Sequence, residues 1–294
     1  MPEARPAHRT DEVPRRSGQD GLARVAVTLK ALLFDVDGTL ADTEPHGHLP
    51  AYNRAFKDLG LDWTWSKRLY RNLLLQPGGR ERIDYYLNEH SPNLGEHKER
   101  IEKDRSGWIE SLHALKSKYF KRRLAAGRVP LRPGVQRLMA EAVSRDIKLA
   151  LVTNASRASL DAFLDHSLGE DLRNRIEVIV QSAEVARKKP APDLYLVACE
   201  RLGLAPADCL ALEDSRIGLE AACAAGVPAV VTVNADTRHQ DFSEALLVVN
   251  KLGEPDACCK RLGGTGRDDQ FEYVDIDLLC GLHDAAGRSA PPAA

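Results

Sequence analysis

Short apolar runs alternate with helical patterns over most of this 294-residue chain. The first run, residues 25–34, is β-branched and aliphatic, which is typical of a strand buried on both faces. Comparable runs follow at residues 148–153, 177–181, 209–213 and 229–233. Between them, residues 135–143 and 194–202 repeat apolar positions with helical spacing. This alternation predicts an α/β fold whose core is a Rossmann-like, doubly wound parallel sheet.

Residues 43–130 interrupt the alternation, because no strand pattern occurs there. Tyr52, Phe56 and Leu59 are spaced for one helix, which Pro50 would open. A longer helix is predicted from a second set of residues on one face: Ile101, Trp108, Leu112, Leu115 and Tyr119. We therefore predict an all-helical cap domain at residues 43–130, hereafter the insert, between core segments 25–42 and 131–255.

The two ends of the chain lack periodic patterns. Residues 1–24 are polar and rich in Pro and Arg, which predicts a disordered N-terminal tail. Residues 256–294 are predicted to form a C-terminal extension that is disordered from about residue 284.

Composition excludes several classes of function. The 41 Lys and Arg residues against 43 Asp and Glu residues leave a net charge of −2, which argues against nucleic-acid or anionic-membrane partners. The longest apolar run, residues 221–235, is too short to span a bilayer. Six cysteines without a C-x-x-C pair, and no signal-peptide pattern, favour a reducing cytoplasm. We expect a cytoplasmic monomer.

Polar residues stand at the end of several predicted strands. Asp35 and Asp37 follow the first run, and two such close carboxylates repel each other unless a cation lies between them. Their hard oxygen ligands suit Mg²⁺. The other stretches that could join this site are Thr153-Asn154, Lys189 and Glu213-Asp214. Each stretch alone is better explained as a turn or a solvated surface, but their order and their common position at strand ends favour one site.

In this order the stretches resemble the motifs of haloacid dehalogenase-like hydrolases, over residues 32–255. The insert lies where that family has its mobile cap. Further stretches resemble the CbbY-type branch of the family: FDVDGTLADTE, GLDWTWSKRLYRNLL, PGGRERI, KKPAPDLY, LEDSRIGLEAA and DFSEALLVVNKLGEP. That branch dephosphorylates xylulose 1,5-bisphosphate, an inhibitor of Rubisco.

The resemblance implies a role for each motif residue. Asp35 would be the nucleophile that forms an aspartyl-phosphate, and Asp37 the general acid and base. The Mg²⁺ ligands would be the Asp35 carboxylate, the Asp37 carbonyl and Asp214, with Glu213 bound through water or orienting these ligands. The phosphoryl oxygens would be bound by Thr153, Asn154 and Lys189.

Specificity is expected to come from the insert. A second phosphate would be held beside the Gly-rich turn at Gly79, with Arg80 or Arg82 as its anchor, although a capping turn with solvated arginines explains the pattern equally well. Glu44 and His48 would contact sugar hydroxyls. The basic residues on the last insert helix are predicted to form a solvated face, with steering of an anionic substrate as the alternative.

The motifs and this resemblance together imply a Mg²⁺-dependent sugar-phosphate phosphatase, with xylulose 1,5-bisphosphate as the favoured substrate. The nearest alternatives are a β-phosphoglucomutase-like phosphosugar mutase, which would use the same two aspartates, and another sugar-phosphate phosphatase of the same family. An alternative of another class is a phosphorylatable regulatory or binding protein. Such a protein needs neither a general acid nor a large cap.

Overall fold

A computed structural model describes residues 29–76, 78–155, 157–266 and 270–289. In chain order its strands are β1 (Ala31–Phe34), β2 (Lys148–Thr153), β3 (Ile176–Gln181), β4 (Cys209–Glu213), β5 (Ala229–Thr232), β6 (Leu247–Val249) and β7 (Arg261–Gly263). They form one sheet in the order β3-β2-β1-β4-β5-β6-β7. The strands β1 to β6 pair in parallel, and β7 is antiparallel to β6. The predicted fold class is confirmed, with an antiparallel edge strand in addition.

The helices in chain order are α1 (Leu49–Asp58), α2 (Lys67–Leu73), α3 (Gly79–His90), α4 (Lys98–Lys103), α5 (Arg105–Ala125), α6 (Val135–Ser144), α7 (Arg157–Ser167), α8 (Glu170–Arg173), α9 (Asp193–Leu202), α10 (Arg216–Ala224) and α11 (Ile276–Ser289). A π-helical turn, Glu44–His48, precedes α1. In the described part of the chain, no helix combines the length and apolar composition that crossing a bilayer requires.

The central strand β1 shows how the sheet separates two hydrophobic layers. Successive side chains of a strand point to opposite faces. Leu32 and Phe34 join the layer that packs on α6, α7 and α11, whereas Ala31 and Leu33 join the layer under α9 and α10. All four side chains are buried, because helices cover both faces of the sheet.

The C-terminal extension is ordered further than the sequence predicts. Helix α11 continues to Ser289, and Leu279 on its inner face is fully buried in the layer that holds α6. The prediction of disorder from about residue 284 is therefore wrong for residues 284–289, because this helix packs on the core. Residues 1–28 and 290–294, including the tail predicted at residues 1–24, lie outside the described residues.

The described residues between 44 and 125 form helices and turns, as predicted, but the long helix is divided in two. Asp104 adopts a non-helical conformation with φ −148°, and its side chain accepts a hydrogen bond of 2.9 Å from the Gly107 N–H. Asp104 thus caps α5 at its N-terminus. Ile101 therefore belongs to the separate short helix α4, and the prediction of one continuous helix from Ile101 is wrong.

Aromatic side chains form a separate hydrophobic core in the insert. Trp65 packs against Tyr52 and Phe56 with ring centroids 4.5 and 4.9 Å apart, and Trp63 contacts Trp108 at 6.0 Å. Tilted and edge-to-face arrangements of this kind are favourable for aromatic pairs. The far end of α5 differs, because Phe120 belongs to the core layer of the sheet. The insert thus has its own core but rests one helix end on the sheet domain.

Two strand-like crossings join the insert to the sheet domain. Ala41, where the chain leaves, forms an antiparallel bridge with Leu131, where it returns. The Arg132 N–H donates to the Leu40 carbonyl at 2.8 Å. The entry and exit of the insert are therefore adjacent.

Candidate active site

The carboxyl ends of four neighbouring strands meet at one cavity. Asp35 follows β1, Thr153 ends β2, Asp214 follows β4 and Asn234 lies beyond β5. All four line a cavity of about 480 Å³ that is closed on its other side by residues of the insert. Ligands of open α/β sheets bind at this edge, so the topology alone brings these side chains together.

Lys189 reaches this edge from the loop before α9 and is surrounded by oxygen atoms. Its Nζ donates to Asp35 Oδ1 at 2.8 Å, to Glu213 Oε1 at 2.6 Å and to the Val152 carbonyl at 2.7 Å. Burial opposes the charge of this ammonium group, but the two carboxylates outweigh burial and raise the pKa of Lys189. Lys189 is therefore a fixed cation beside one oxygen of Asp35.

Three buried carboxylates lie together at this edge, and two of them, Asp35 and Glu213, pair with Lys189. Oxygen atoms of Asp35, Glu213 and Asp214 lie within 4.8 Å of one another, and we call these residues the acidic cluster. Burial, followed by the repulsion between the carboxylates, raises the pKa of Asp214 well above its ordinary value. Burial also raises the pKa of Glu213, to about 7, although Lys189 opposes this. With all three groups ionised, the cluster would carry more negative charge than Lys189 neutralises, and the raised pKa values of Asp214 and Glu213 reflect burial and this repulsion.

Mg²⁺ fits this donor set. The available groups are hard carboxylate oxygens, which this ion prefers, and their excess charge requires a cation. Among the described residues, no hydrogen-bond donor reaches the buried oxygen Glu213 Oε2. The carboxylate of Glu213 lies against α10, where a Cβ on Gly218 would approach that oxygen to 1.9 Å. Asp35 and Asp214, which line the cavity, are therefore better placed to bind an ion directly than Glu213.

Gly38 allows the loop after β1 to approach Asp214 closely. Its φ of +92° lies in the region that favours glycine, and a Cβ there would lie 2.3 Å from Asp214 Oδ2. That same oxygen accepts a hydrogen bond of 2.7 Å from the Asn234 side chain. The glycine thus keeps the loop and the carboxylate in contact.

Asp37 lines the cavity and has an altered acidity. Loss of water around it, with the repulsion of Asp35 and Glu44, raises the pKa of Asp37 to about 6. A carboxyl group with such a pKa can both donate and accept a proton near neutral pH.

Thr153 and Asn154 offer hydrogen-bond donors at the end of β2. The fully buried Thr153 Oγ1 accepts from the Ala155 N–H at 3.0 Å, which leaves its hydroxyl proton available to the cavity. Asn154 is exposed and lines the same cavity. Both residues lie where the sequence predicts them.

On the insert side, a chain of hydrogen bonds holds Glu44. Tyr70 donates to Glu44 Oε2 at 2.5 Å and accepts from Arg82 Nη1 at 3.0 Å. Burial and the charge of Glu44 raise the pKa of Tyr70, so its hydroxyl keeps the proton that it donates. Glu44 and Tyr70 line the cavity, whereas Arg82 lies behind them.

His48 and Lys116 form a second pair of contacting polar side chains in the insert. Lys116 Nζ contacts His48 Nδ1 at 2.8 Å, and the imidazole stacks on Phe120 with centroids 3.8 Å apart. Burial and the charge of Lys116 lower the pKa of His48 well below its ordinary value, so a neutral ring accepts from the lysine. Burial lowers the pKa of Lys116 to about 8. His48 therefore contacts Lys116 and does not line the cavity.

The residues predicted to anchor a second anion do not face the cavity. Arg82 is 8% exposed and its guanidinium also donates to the Leu73 and Gln76 carbonyls. Arg80 lies on the outer surface beside Glu110, and the Gly79 carbonyl accepts from Tyr52. These arrangements correct the expected position of the anion site, because the guanidinium of Arg82 is already satisfied by groups of the insert.

Comparison with known proteins agrees with the geometry of the site. The model of the family described as haloacid dehalogenase-like hydrolase matches residues 29–226. The chain belongs to this family. It is 47% identical to the plasmid-encoded protein CbbY of Cupriavidus necator over 227 residues, which are 77% of this chain and 87% of the relative.

Two further proteins indicate the type of reaction within this family. The phosphorylated carbohydrates phosphatase of Thermotoga maritima is 32% identical over 70% of this chain and 85% of its own. A crystal structure of CbbY from Rhodobacter sphaeroides, in complex with xylulose-(1,5)bisphosphate, superimposes with a TM-score of 0.64. It is 37% identical and covers 76% of this chain and 94% of that chain. This haloacid dehalogenase-like hydrolase is therefore an enzyme of the phosphatase type.

The sequence did not indicate four residues that shape the site of this hydrolase. Tyr195 donates to Glu213 Oε1 at 2.5 Å, and Asn234 binds Asp214. Arg132 donates to the Gly38 carbonyl and to the Thr232 and Val233 carbonyls, the latter two at 2.7 Å. Arg71 lines the cavity mouth, 3.0 Å from Asp236. The position of Asn234 beyond a strand end was a signal that could have found it.

Proposed function

We propose that the chain is a Mg²⁺-dependent phosphatase that hydrolyses a sugar bisphosphate, xylulose 1,5-bisphosphate, to xylulose 5-phosphate and phosphate. One observation carries this proposal. Asp35, held by Lys189, and Asp37, whose pKa is raised to about 6, face one cavity under the insert. A nucleophile beside a separate proton donor is the arrangement that ester cleavage requires. The likeness to a CbbY structure with bound xylulose bisphosphate supports the substrate.

In the first step, an oxygen of Asp35 attacks phosphorus. Because Lys189 binds Oδ1, Oδ2 is the oxygen that forms the new O–P bond. The bond between phosphorus and the sugar oxygen breaks, and Asp37 gives its proton to that oxygen. The products are the free sugar hydroxyl and an aspartyl-phosphate on Asp35.

In the second step, water replaces Asp35 on phosphorus. The Asp37 carboxylate takes a proton from this water, whose oxygen bonds to phosphorus as the acyl-phosphate bond breaks. Inorganic phosphate leaves and the Asp35 carboxylate returns. A pKa near 6 suits Asp37 to both directions of transfer, since it lies close to neutral pH.

The chain offers Asp35, Asp214 and the Asp37 carbonyl to bind Mg²⁺, with Glu213 behind them. When bound, Mg²⁺ would offset the negative charge of the nucleophile and of the phosphoryl group. Lys189 adds a second positive charge at Asp35. Glu213, which binds Lys189 and Tyr195 through Oε1, keeps that ammonium group in position.

The second phosphate is assigned to Lys67 and Arg71 on helix α2. Both belong to the insert and line the same cavity as Asp35. Asp236 holds the Arg71 guanidinium at 3.0 Å, which orders this long side chain before substrate binds. The Glu44 carboxylate, fixed by Tyr70, lies in the same cavity and is able to accept hydrogen bonds from sugar hydroxyls.

The test is release of phosphate from a panel of esters with Mg²⁺ present. The panel contains xylulose 1,5-bisphosphate, xylulose 5-phosphate, fructose 1,6-bisphosphate and β-glucose 1-phosphate. We expect the highest kcat/KM with xylulose 1,5-bisphosphate, and no measurable turnover by the Asp35→Asn variant. Comparable kcat/KM for every ester would contradict the assigned substrate, and activity in Asp35→Asn would contradict the mechanism.

A matched pair of variants tests the second phosphate site. Arg71→Ala should raise KM for the bisphosphate by roughly 10- to 100-fold, since a charge-assisted contact to phosphate contributes about 1.5–3 kcal/mol. It should leave a monophosphate unaffected. Arg80→Ala, which removes an arginine from the outer surface, is the control. A larger effect of Arg80→Ala would return the second phosphate to the Gly-rich turn.

Product analysis separates the phosphatase from the mutase alternative. A mutase given β-glucose 1-phosphate and a trace of bisphosphate would accumulate glucose 6-phosphate. We expect inorganic phosphate instead, because the proposed second step transfers the phosphoryl group to water.

A further inference from the structure

A second cationic region lies outside the catalytic cavity. Between Glu110 and Glu141 the sequence contains eight Lys or Arg residues and no Asp or Glu. Two of these, Lys116 and Arg132, are buried beside the cavity described above. Most of the others lie on the second half of α5 and on the loop after it, where the proposed reaction does not use them.

Part of this region forms a cleft of about 590 Å³ between α1 and α5. Five cationic side chains line it around one aromatic ring: Arg54, Lys57, Arg122, Arg123, Arg128 and Tyr119. None of these residues lines the catalytic cavity. The volume is within the range of small-molecule sites, which is about 300–1,000 Å³.

The positive charge of the cleft is mostly unbalanced. Asp58 pairs with Arg54 at 2.9 Å and accepts the Tyr119 hydroxyl. Among the described residues, no carboxylate lies within 4 Å of the other four cationic groups, which belong to Lys57, Arg122, Arg123 and Arg128. Like charges held together in this way repel one another unless an anion lies between them.

The fold holds several of these guanidinium groups in place. Arg54 and Arg122 each lie 5.6 Å from the centroid of the Tyr119 ring, which separates them. Arg123 Nε donates to the His46 carbonyl at 2.7 Å. Burial, together with the charge of Arg128, lowers the pKa of Arg123. Ordered guanidinium forks are suited to binding phosphate through paired hydrogen bonds.

The amount of charge indicates the size of the ligand. Four unpaired cationic groups match two phosphate groups, each of which carries about −1.5 to −2 at neutral pH. The N-terminal segment does not supply this charge, because residues 1–28 contain five arginines against four acidic residues. A concave site of this volume favours a small molecule over an extended polyanion.

We propose that the cleft between α1 and α5 binds a small molecule with two phosphate groups, at a site separate from the catalytic cavity. Sugar bisphosphates and nucleoside diphosphates share this chemistry. The proposal does not depend on the reaction assigned to Asp35.

Calorimetric titration tests the site, with fructose 1,6-bisphosphate and ADP as separate probes and EDTA present to prevent turnover. Three proteins are compared: the wild type, the cleft variant Arg122→Glu/Arg128→Glu, and the control Lys118→Glu/Lys121→Glu. The control makes the same charge change on α5 and its surroundings but outside the lining of the cleft. Circular dichroism checks that all three fold alike.

We expect the wild type and the control to bind one more equivalent of at least one probe than the cleft variant. Binding of one probe alone identifies its class as the ligand, and binding of both identifies the paired phosphates as the feature recognised. Equal stoichiometry and affinity in all three proteins would overturn the proposal. A second result would also overturn it: an oligonucleotide that binds the wild type at least tenfold more tightly than both probes, with this binding absent in the cleft variant.

Discussion

The two sides of the catalytic cavity have similar construction and opposite charge. On the core side, Lys189 pairs with the Asp35 and Glu213 carboxylates, Tyr195 donates to Glu213, and Asp214 lies beside them. On the insert side, Arg82 and Lys116 lie near one carboxylate, Glu44, to which Tyr70 donates. Each side thus has buried groups of both signs, but the core has an excess of negative charge and the insert an excess of positive charge.

This difference indicates that neither side is complete alone. A buried charge without a partner destabilises a fold by several kcal/mol, so excess charge persists where a ligand provides the partner. The core side requires a cation, and the insert side favours an anion. The metal ion and the phosphorylated sugar of the proposed function would supply both, bound between the two halves in one cavity.

The largest effect is expected from removing the cation of the acidic cluster. Lys189→Met should lower kcat by roughly 10³-fold or more and the free energy of unfolding by about 3–5 kcal/mol, because it leaves the buried carboxylates of Asp35 and Glu213 without their cation. Phosphate-release kinetics and urea unfolding measure these losses. The control is Lys188→Met, in the neighbouring exposed residue. Similar losses in both variants would mean that the acidic cluster does not depend on Lys189.

Adding a cation should have the opposite effect on the same cluster. Mg²⁺ at a hundred times its Kd should stabilise the wild type by about 2.7 kcal/mol, since it binds the folded state. Thermal unfolding should show this as a higher Tm. Asp214→Asn should abolish the shift, whereas Asp208→Asn, at the other end of β4, should retain it. A shift of equal size in Asp214→Asn would place the ion elsewhere.

On the insert side, a substitution of Arg82 tests whether its charge acts directly on the substrate. Arg82→Met should lower the free energy of unfolding by about 2–3 kcal/mol, because it leaves buried carbonyl groups and Tyr70 without their donor. Turnover of monophosphates and bisphosphates should fall by the same factor. Arg80→Met is the exposed control on the same helix. Selective loss of bisphosphate turnover would instead make Arg82 a phosphate ligand.

The smallest effect is expected in the pH dependence of the free energy of unfolding, through Lys116. Its pKa is lowered to about 8 by burial, so the unfolded chain binds more protons above this pH and stability rises. This group should add about 1 kcal/mol to the free energy of unfolding between pH 8 and pH 9. Lys116→Met should lack that increment, and Lys118→Met should retain it. Identical pH profiles in the wild type and Lys116→Met would contradict the lowered pKa.

The core half of the site was largely predictable from sequence, and the reason is topological. Asp35, Thr153 and Asp214 each follow a recognisable strand, and parallel strands end at one edge of the sheet. Lys189 was grouped with these strand-end residues, but it lies on the loop before α9, after β3 has ended at Gln181. Its role beside Asp35 came from the resemblance to a family motif. The fold class followed from the same alternation of strands and helices.

The insert half was less predictable, because its charged residues depend on tertiary contacts. An arginine in a helical pattern is usually exposed, yet Arg82 is buried by carbonyl groups of Leu73 and Gln76, which precede its helix. No spacing in α3 indicates this. Similarly, Arg71 lies at the cavity because Asp236, 165 residues away, holds it there.

The missed elements of the fold have local causes. Strands β6 and β7 contain three residues each, too few for an alternating pattern to be visible. The break before α5 could have been found from the sequence, because Asp is a common residue at the N-terminal cap of a helix. The Asp104 side chain accepts from the N–H of Gly107, three residues later. The end of α11 has the composition of a disordered tail, but it continues a helix whose first half packs on the core through Ile276, Leu279 and Leu282.

Arg132 connects the crossings of the insert to the loop that carries Asp35 and Asp37. Arg132 lies where the chain returns from the insert. Its guanidinium donates to the Gly38 carbonyl in the loop after β1 and to the Thr232 and Val233 carbonyls at the end of β5. It also lies 3.3 Å from Asp42, where the chain departs. Arg132 therefore joins both crossings of the insert to the loop after β1 and to the end of β5. A rotation of the insert about these crossings would carry Glu44 with it and leave Asp35 and Asp37 in place on the sheet domain.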